Sequence, residues 1–210
     1  MYNSVLSGGE GDFVEKKSRF IGGGYFVKSE EEALNKISQI KEIYKDATHN
    51  TYAYIIGKDA KIQRYSDDGE PQGTAGIPML EVLKKEEMRN VLVIVTRYFG
   101  GTKLGAGGLV RAYTEGVVKA LDEAKRCERK NFTRTKIIYD YTFHGAIVNL
   151  LANENYKIIE ENYTDKVEVT IDIGEDKSIL DKIRDITSAN FEKEDLEEIE
   201  LPTIDGKIIY

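Results

Sequence analysis

The segment spanning residues 95–113 constrains the fold of this chain more than any other. An apolar run at residues 91–95 leads into a connection that contains five glycines, after which apolar residues recur at helical spacing. Such a run is typical of a strand covered on both faces, and glycine permits backbone conformations that other residues avoid. The segment therefore predicts a buried strand, a tight glycine-rich connection and an amphipathic helix. The apolar positions of this helix are Leu109, Ala112, Tyr113, Gly116, Val117, Ala120 and Leu121.

The rest of the chain mixes short strands with helices, which predicts an α+β fold. Ser29 followed by Glu32 is a capping signature that opens the first helix. Other elements of the first part are expected at 22–27, 51–56, 61–65 and 91–95 as strands and at 74–85 as a helix. Later strands are expected at 135–142, 157–163, 167–173 and 196–201, with helices at 146–154 and 178–189. The order of these later elements is βαββαβ, as in a ferredoxin-like sandwich.

The charges are divided unevenly along the chain. The net charge is −7, yet residues 131–210 carry 9 Lys and Arg against 18 Asp and Glu, which leaves 21 basic and 19 acidic residues in 1–130. The apolar periodicity also stops around 125–130. We therefore expect two domains, 1–130 and 131–210, and a polyanionic partner would bind the first.

Composition excludes several kinds of site. Cys127 is the single cysteine, so no intrachain disulfide can form, and with only His49 and His144 a Cys/His metal cage cannot be assembled. We expect no metal and no cofactor. The N-terminus lacks the pattern of a signal peptide and no apolar run reaches membrane-spanning length, so a cytoplasmic location without membrane contact is expected.

The glycine-rich connection is the leading candidate for a binding site. Glycines allow a close approach to the backbone, a helix N-terminus offers unpaired N–H groups, and nearby cations favour phosphate. The candidate phosphate-binding or nucleic-acid-binding residues are Arg97, Tyr98, Gly100, Gly101, Lys103, Gly105, Gly107, Gly108 and Arg111, with Arg19 and His49 as possible extensions. The structural alternative is a tight turn with Tyr98 and Phe99 in the core, and Phe99 is the ring expected to be buried.

Three carboxylates precede the second predicted helix. Asp67, Asp68 and Glu70 lie beside Gly69 and Pro71, and they could hold Mg²⁺ or act as an acid–base pair. Aspartates beside glycine and proline are also ordinary turn formers, which favours a structural role. A third possibility is that Asp68 or Glu70 pairs with Arg97 or Arg111 and organises the loop.

The segments 66–78 and 96–113, together with 17–21 and 47–50, resemble the bacterial branch of the YigZ/IMPACT family. The resemblance covers most of residues 15–125, and residues from about 135 resemble the smaller C-terminal domain of that branch. It implies that the first domain has the fold of domain two of small-subunit ribosomal protein five, shared with domain four of elongation factor G. The second domain would resemble the ferredoxin-like fifth domain of that factor.

We expect the first domain to bind RNA or the ribosome and the protein to have an accessory role in translation, such as regulation. The resemblance establishes no catalytic activity, and we expect none. Eukaryotic relatives restrain a translation kinase by using an additional N-terminal module, and that role is not carried over. One alternative is an enzyme that binds nucleotide phosphates on residues 103–109, as small-molecule kinases with this first-domain fold do. The other is a protein-interaction module in which Tyr98, Phe99 and Tyr113 contact a protein partner.

Overall fold

The computed structural model describes residues 1–210 and divides them into two compact units, Met1–Glu128 and Arg129–Tyr210. The boundary predicted from the charges lies two residues later, after residue 130. With the observed division, residues 129–210 contain 11 of the 30 basic and 18 of the 37 acidic residues, which leaves 19 of each in residues 1–128. The first unit therefore has no net charge, and any basic surface on it must come from how its charges are arranged.

The first unit is an α+β structure with one sheet and three helices. Its strands are β1 (Tyr2–Val5), β2 (Glu10–Glu15), β3 (Ser18–Phe26), β4 (His49–Ile56), β5 (Ile62–Ser66) and β6 (Val91–Tyr98), and its helices are α1 (Glu30–Ile43), α2 (Gly76–Lys85) and α3 (Ala106–Glu123). The predicted elements are all present, and β1 and β2 are additional. The sheet is antiparallel and has five strands in the order β2-β3-β6-β4-β5, and β1 is not part of it.

Strand β6 lies in the middle of this sheet and is buried on both faces, as its apolar sequence predicts. Val91, Val93 and Val95 belong to the core formed with α2 and α3. Leu92 and Ile94 belong to a second core, formed with α1. Side chains alternate between faces along a strand, so a continuous apolar run is what a sheet covered on both sides requires.

Helix α3 packs directly against the backbone of β3. A Cβ atom at Gly22 would lie 2.3 Å from the carbonyl oxygen of Gly116, and one at Gly24 would lie 2.8 Å from that of Ala120. Any side chain at these two strand positions would push the helix away from the sheet. The glycines of β3 therefore set how closely α3 approaches.

The second unit begins within a long strand. The strands are β7 (Arg126–Tyr139), β8 (Glu160–Tyr163), β9 (Val167–Ile173), β10 (Phe191–Ile204) and β11 (Lys207–Ile208), and the helices are α4 (His144–Asn153) and α5 (Ser178–Thr187). Strand β7 starts nine residues before the predicted residue 135. The charges at its start suggest a break in the sequence, yet the strand continues through them, and Cys127, Arg129 and Phe132 are buried within it.

The βαββαβ order of the second unit is confirmed. The strands lie in the order β10-β7-β9-β8, so β9 separates the two strands that flank α4, and β7 separates the two that flank α5. This is the split βαβ arrangement of ferredoxin-like sandwiches. The core contains alternate residues of β9 and the apolar stripes of α4 and α5, including Ile147, Leu151, Ile179 and Ile183. None of the helices in the chain combines the length and apolarity needed to cross a membrane.

Candidate functional site

Most of the predicted site residues meet at one edge of the first sheet. Strands β3 and β4 begin at this edge and β6 ends there, since Tyr98 lies opposite Arg19 and Arg97 lies opposite His49. Two connections leave the same edge, residues 67–75 from β5 to α2 and residues 99–105 from β6 to α3. We call these two connections, together with the turn at residues 16–17, the loop edge.

Asp67 caps helix α2 from outside the helix. Its carboxylate accepts hydrogen bonds from the backbone N–H groups of Gly73 at 2.9 Å, Ala75 at 3.1 Å and Gly76 at 2.8 Å. The N-cap residue of α2 is Ala75, whose side chain cannot accept a hydrogen bond. Asp67 therefore satisfies the unpaired helix N–H groups and places a negative charge at the positive end of α2.

Asp68 and His49 join the same loop to strand β4. The Asp68 carboxylate accepts from the backbone N–H of Asn50 at 2.6 Å and from Lys41 Nζ at 2.5 Å. The Asp68 carbonyl oxygen lies 2.8 Å from His49 Nδ1. Because a carbonyl only accepts, we assign the proton to Nδ1 of His49. His49 therefore holds the loop, and we reassign it from the proposed phosphate contacts to the scaffold.

Glu70 forms a buried ion pair with Arg97. The Glu70 carboxylate accepts from the Arg97 guanidinium at 2.6 Å, and the two residues are only 7% and 4% exposed. Arg97 also donates to Ser18 Oγ at 3.2 Å. This is one of the pairings that the sequence analysis considered. It turns Arg97 away from solvent, so Arg97 too belongs to the scaffold and not to a phosphate-binding surface.

Tyr113 and His49 complete the surroundings of the Glu70 carboxylate. The Tyr113 hydroxyl donates to Glu70 Oε1 at 2.6 Å, and His49 Nε2 lies 3.8 Å from the same oxygen. Burial raises the pKa of the Tyr113 hydroxyl far above its ordinary value, and the hydrogen bond to Glu70 adds to this effect. Tyr113 is fully buried, so the idea that it contacts a protein partner is wrong.

Phe99 is 45% exposed, so the expectation that this ring is buried is wrong. Strand β6 ends at Tyr98, and the inward position before it is occupied by Arg97. The Arg97 guanidinium carbon lies 5.4 Å from the ring centroids of both Phe20 and Phe99. The buried side chain at this end of the strand is therefore Arg97, and the Phe99 ring lies partly outside it.

The turn between β2 and β3 presents two lysines at the loop edge. Lys16 and Lys17 have φ angles of 45° and 68°, the left-handed conformation of a two-residue hairpin turn that usually contains asparagine and glycine. Both side chains are exposed. Gly100 lies against this turn, because a Cβ atom there would be 1.9 Å from the Lys17 carbonyl oxygen. Only glycine fits at position 100.

The N-terminus of α3 is open to solvent. The N-cap residue is Gly105, no side chain caps the helix, and its first turn contains no acidic residue. Gly101 and Gly105 have φ angles of 82° and 76°, so these two glycines serve the backbone conformation. The exposed residues of this region include Lys103, Gly105, Gly107 and Arg111, and Gly108 is half-buried. Unpaired N–H groups thus lie at the helix end, with exposed Lys103 just before it and exposed Arg111 in the second turn of α3.

The remaining predicted residues lie on the surface and have acidic neighbours. Arg19 forms an ion pair with Asp12 at 2.9 Å, and the Tyr98 hydroxyl donates to Asp46 at 2.9 Å. Exposed pairs of this kind contribute little stability and exchange partners readily. No group of three or more His, Cys, Asp or Glu side chains is placed to hold a metal ion.

Sequence reasoning missed two residues that hold the loop edge together. Ser18 Oγ accepts from both Arg97 and the backbone N–H of Gly100, and Thr48 Oγ1 accepts from the backbone N–H of Phe99. Both hydroxyls act on residues distant in sequence, so local pattern gives no signal for them. The sequence did contain a signal for the burial of Arg97. Val91, Val93 and Val95 occupy alternate positions that lead up to Arg97, so all four side chains point to the same face of the strand.

Two family descriptions match the chain. Residues 16–121 match the Impact N-terminal domain, and residues 137–190 match a domain of unknown function, DUF1949. The first match contains every residue of the loop edge. The second lies within the βαββαβ unit.

Named relatives and a solved structure agree with these matches. The IMPACT family member YvyE of Bacillus subtilis is 46% identical over 167 residues, which is 80% of this chain and 77% of that protein. YigZ of Escherichia coli is 36% identical over 70% of this chain and 74% of its own length. A crystal structure of a hypothetical protein covers 93% of this chain and 97% of its own, with a TM-score of 0.59 and 29% identity. The chain therefore belongs to the IMPACT family.

Proposed function

We propose that the first unit binds RNA, including RNA on the ribosome, through the loop edge, and that the protein is a non-catalytic accessory factor in translation. The observation that carries this proposal is a separation of charge. The three acids of residues 67–75 are held by other groups of the protein, whereas Lys16, Lys17, Lys103 and Arg111 are exposed.

The open end of α3 adds to the attraction for phosphate. Its unpaired N–H groups carry partial positive charge, and the glycines at 105 and 107 leave them accessible to an anion. Contacts of this kind are made to the phosphate backbone and do not depend on base sequence. They also release counterions, so binding should weaken as salt rises.

The groups that could perform acid–base chemistry at this edge have structural partners. Glu70 accepts from Arg97 and Tyr113, and His49 is hydrogen-bonded to the Asp68 carbonyl. Their arrangement supports a rigid binding surface. The nucleotide-enzyme alternative predicts micromolar binding of ATP or GTP, which isothermal calorimetry on the full chain would detect.

The proposal is tested by co-sedimentation of the full chain with purified bacterial ribosomes over a series of salt concentrations. Lys103→Glu and Arg111→Glu should weaken binding at low salt, and each should reduce the slope of log affinity against log salt by about one. Lys61→Glu is the matched control, because β4 runs from the loop edge to the opposite end of the sheet, where Lys61 is exposed. If Lys103→Glu and Arg111→Glu bound ribosomes as tightly as the Lys61→Glu control, the proposal would be contradicted.

A further inference from the structure

We propose that Phe99 is a platform on which one unpaired base stacks, so that the loop edge recognises single-stranded RNA in preference to a duplex. This inference rests on the proposed function and deepens it. It concerns the class of RNA, which phosphate contacts alone do not specify.

The ring of Phe99 is supported from within the protein. The guanidinium of Arg97 lies 5.4 Å from the ring centroid and is itself fixed by Glu70 and Ser18. The backbone N–H of Phe99 donates to Thr48 Oγ1 at 2.9 Å. The ring therefore has a backing group and an anchored main chain, although almost half of its surface is exposed to water.

Open space close to the ring lies at Gly101. Gly100 packs against the Lys17 turn, whereas a Cβ atom at Gly101 would have no neighbour within 4 Å. The side chain before it, Tyr98, is hydrogen-bonded to Asp46. The exposed part of the ring and the open space at Gly101 are where a planar group would bind.

Charge decides which planar group suits this position. The backbone of Lys17 lies against Gly100 and Lys103 follows in the same connection, whereas the acidic Asp46 is engaged by the Tyr98 hydroxyl. A protein-docking aromatic would instead be expected among other apolar and aromatic residues. A ligand that combines planar rings with phosphates on both sides matches these neighbours. In a duplex the faces of the bases are already stacked, so only an unpaired base offers a free face.

The test uses fluorescence anisotropy with the full chain, a labelled oligouridine and a blunt RNA duplex of equal length. Phe99→Leu should reduce affinity for the oligouridine by roughly 5- to 150-fold, the range that aromatic stacking gives, and should leave duplex binding unchanged. Phe99→Tyr should retain most of the affinity. Tyr163→Leu, which removes an exposed ring from the second unit, is the matched control.

A second measurement reports stacking directly. The chain contains no tryptophan, so Phe99→Trp introduces its single indole. Oligouridine should quench this fluorescence, whereas a Tyr163→Trp indole should be unaffected. Phe99→Trp keeps an aromatic ring at position 99. The fluorescence measurement therefore remains informative even if Phe99→Leu lowers the stability of the protein.

The outcomes separate this inference from the proposed function. If Phe99→Leu binds oligouridine as tightly as the natural chain while Lys103→Glu binds more weakly, stacking is refuted and phosphate binding survives. Tighter binding to duplex than to oligouridine, or a salt-insensitive complex with a ribosomal protein that requires Phe99, would also refute it. If the natural chain binds no ribosome, oligouridine or duplex at low salt, both proposals fall.

Discussion

At the scale of single residues, Glu70 joins three parts of the first unit. Its carboxylate belongs to the connection at 67–75 and accepts from Arg97 at the end of β6 and from Tyr113 in α3. A buried ion pair gains little net stability, because two ions lose their hydration when it forms. Removing one partner is different, since the other charge is then left buried without compensation. The pair therefore fixes the geometry of the loop edge more than it stabilises the fold.

We expect Glu70→Gln to destabilise the protein by about 3–5 kcal/mol, because the Arg97 charge remains buried without a counterion. The measurement is urea unfolding monitored by circular dichroism. The double variant Glu70→Gln with Arg97→Met should lose less than the sum of the two single variants, since it leaves no unpaired charge. Additive losses would mean that the two side chains act independently.

The residues of the site show what local sequence could and could not predict. The position of Glu70 beside a turn, and its possible pairing with Arg97, followed from composition and proximity to glycines. The burial of Arg97 was missed because its glycine-rich neighbours suggested a surface. The exposure of Phe99 runs against its hydrophobicity, because the side chain buried at this end of the strand is the charged Arg97.

At the scale of elements, close packing of α3 on β3 depends on glycines in the strand. The spacing of Gly22 and Gly24 places both on the face that meets the helix. Interiors packed this closely tolerate extra volume poorly. The position of α3, and with it the open helix end at the loop edge, follows from this contact.

Gly22→Ala should destabilise the protein by about 1–3 kcal/mol, because its Cβ atom would lie 2.3 Å from the Gly116 carbonyl oxygen. The control is Gly107→Ala, where a Cβ atom meets nothing within 4 Å. Alanine there favours the helix by up to about 1 kcal/mol. Urea midpoints of the two variants should therefore move in opposite directions, and equal shifts would argue against the packing explanation.

Elements with strong periodicity were predictable, and those without it were not. Helix α3 and strand β9 show regular apolar spacing and were predicted close to their observed positions. Strand β2, with the sequence EGDFVE, contains too few apolar residues to show a period, and its residues are paired by register with β3. Strand β7 was predicted short because charges interrupt its first half, although the backbone continues through them.

Each of the two units that make up the protein has its own apolar core. The first sheet is covered on its two faces by separate clusters, and the second unit has one cluster around β9. The acidic excess lies in residues 129–210, while the candidate surface lies in the other unit. Composition revealed this division of charge, and the acidic excess begins close to the structural boundary.

Leu151→Ala should destabilise the second unit by about 2–5 kcal/mol, since the side chain is 1% exposed within the β9 core. Hydrogen exchange followed by mass spectrometry should show faster exchange in residues 129–210, with residues 18–98 unchanged. Such selective loosening is expected because the two units bury different clusters. Uniform acceleration along the chain would show that the units unfold as one.

The contact between Gly100 and the turn at Lys16 and Lys17 restricts the number of residues that this turn can contain. The turn has two residues, and its carbonyl oxygen occupies the space beside Gly100. An inserted residue would have to displace the following loop and the ring that it carries. We therefore expect an insertion at residues 57–61, at the far end of the sheet, to disturb the loop edge less than one in this turn.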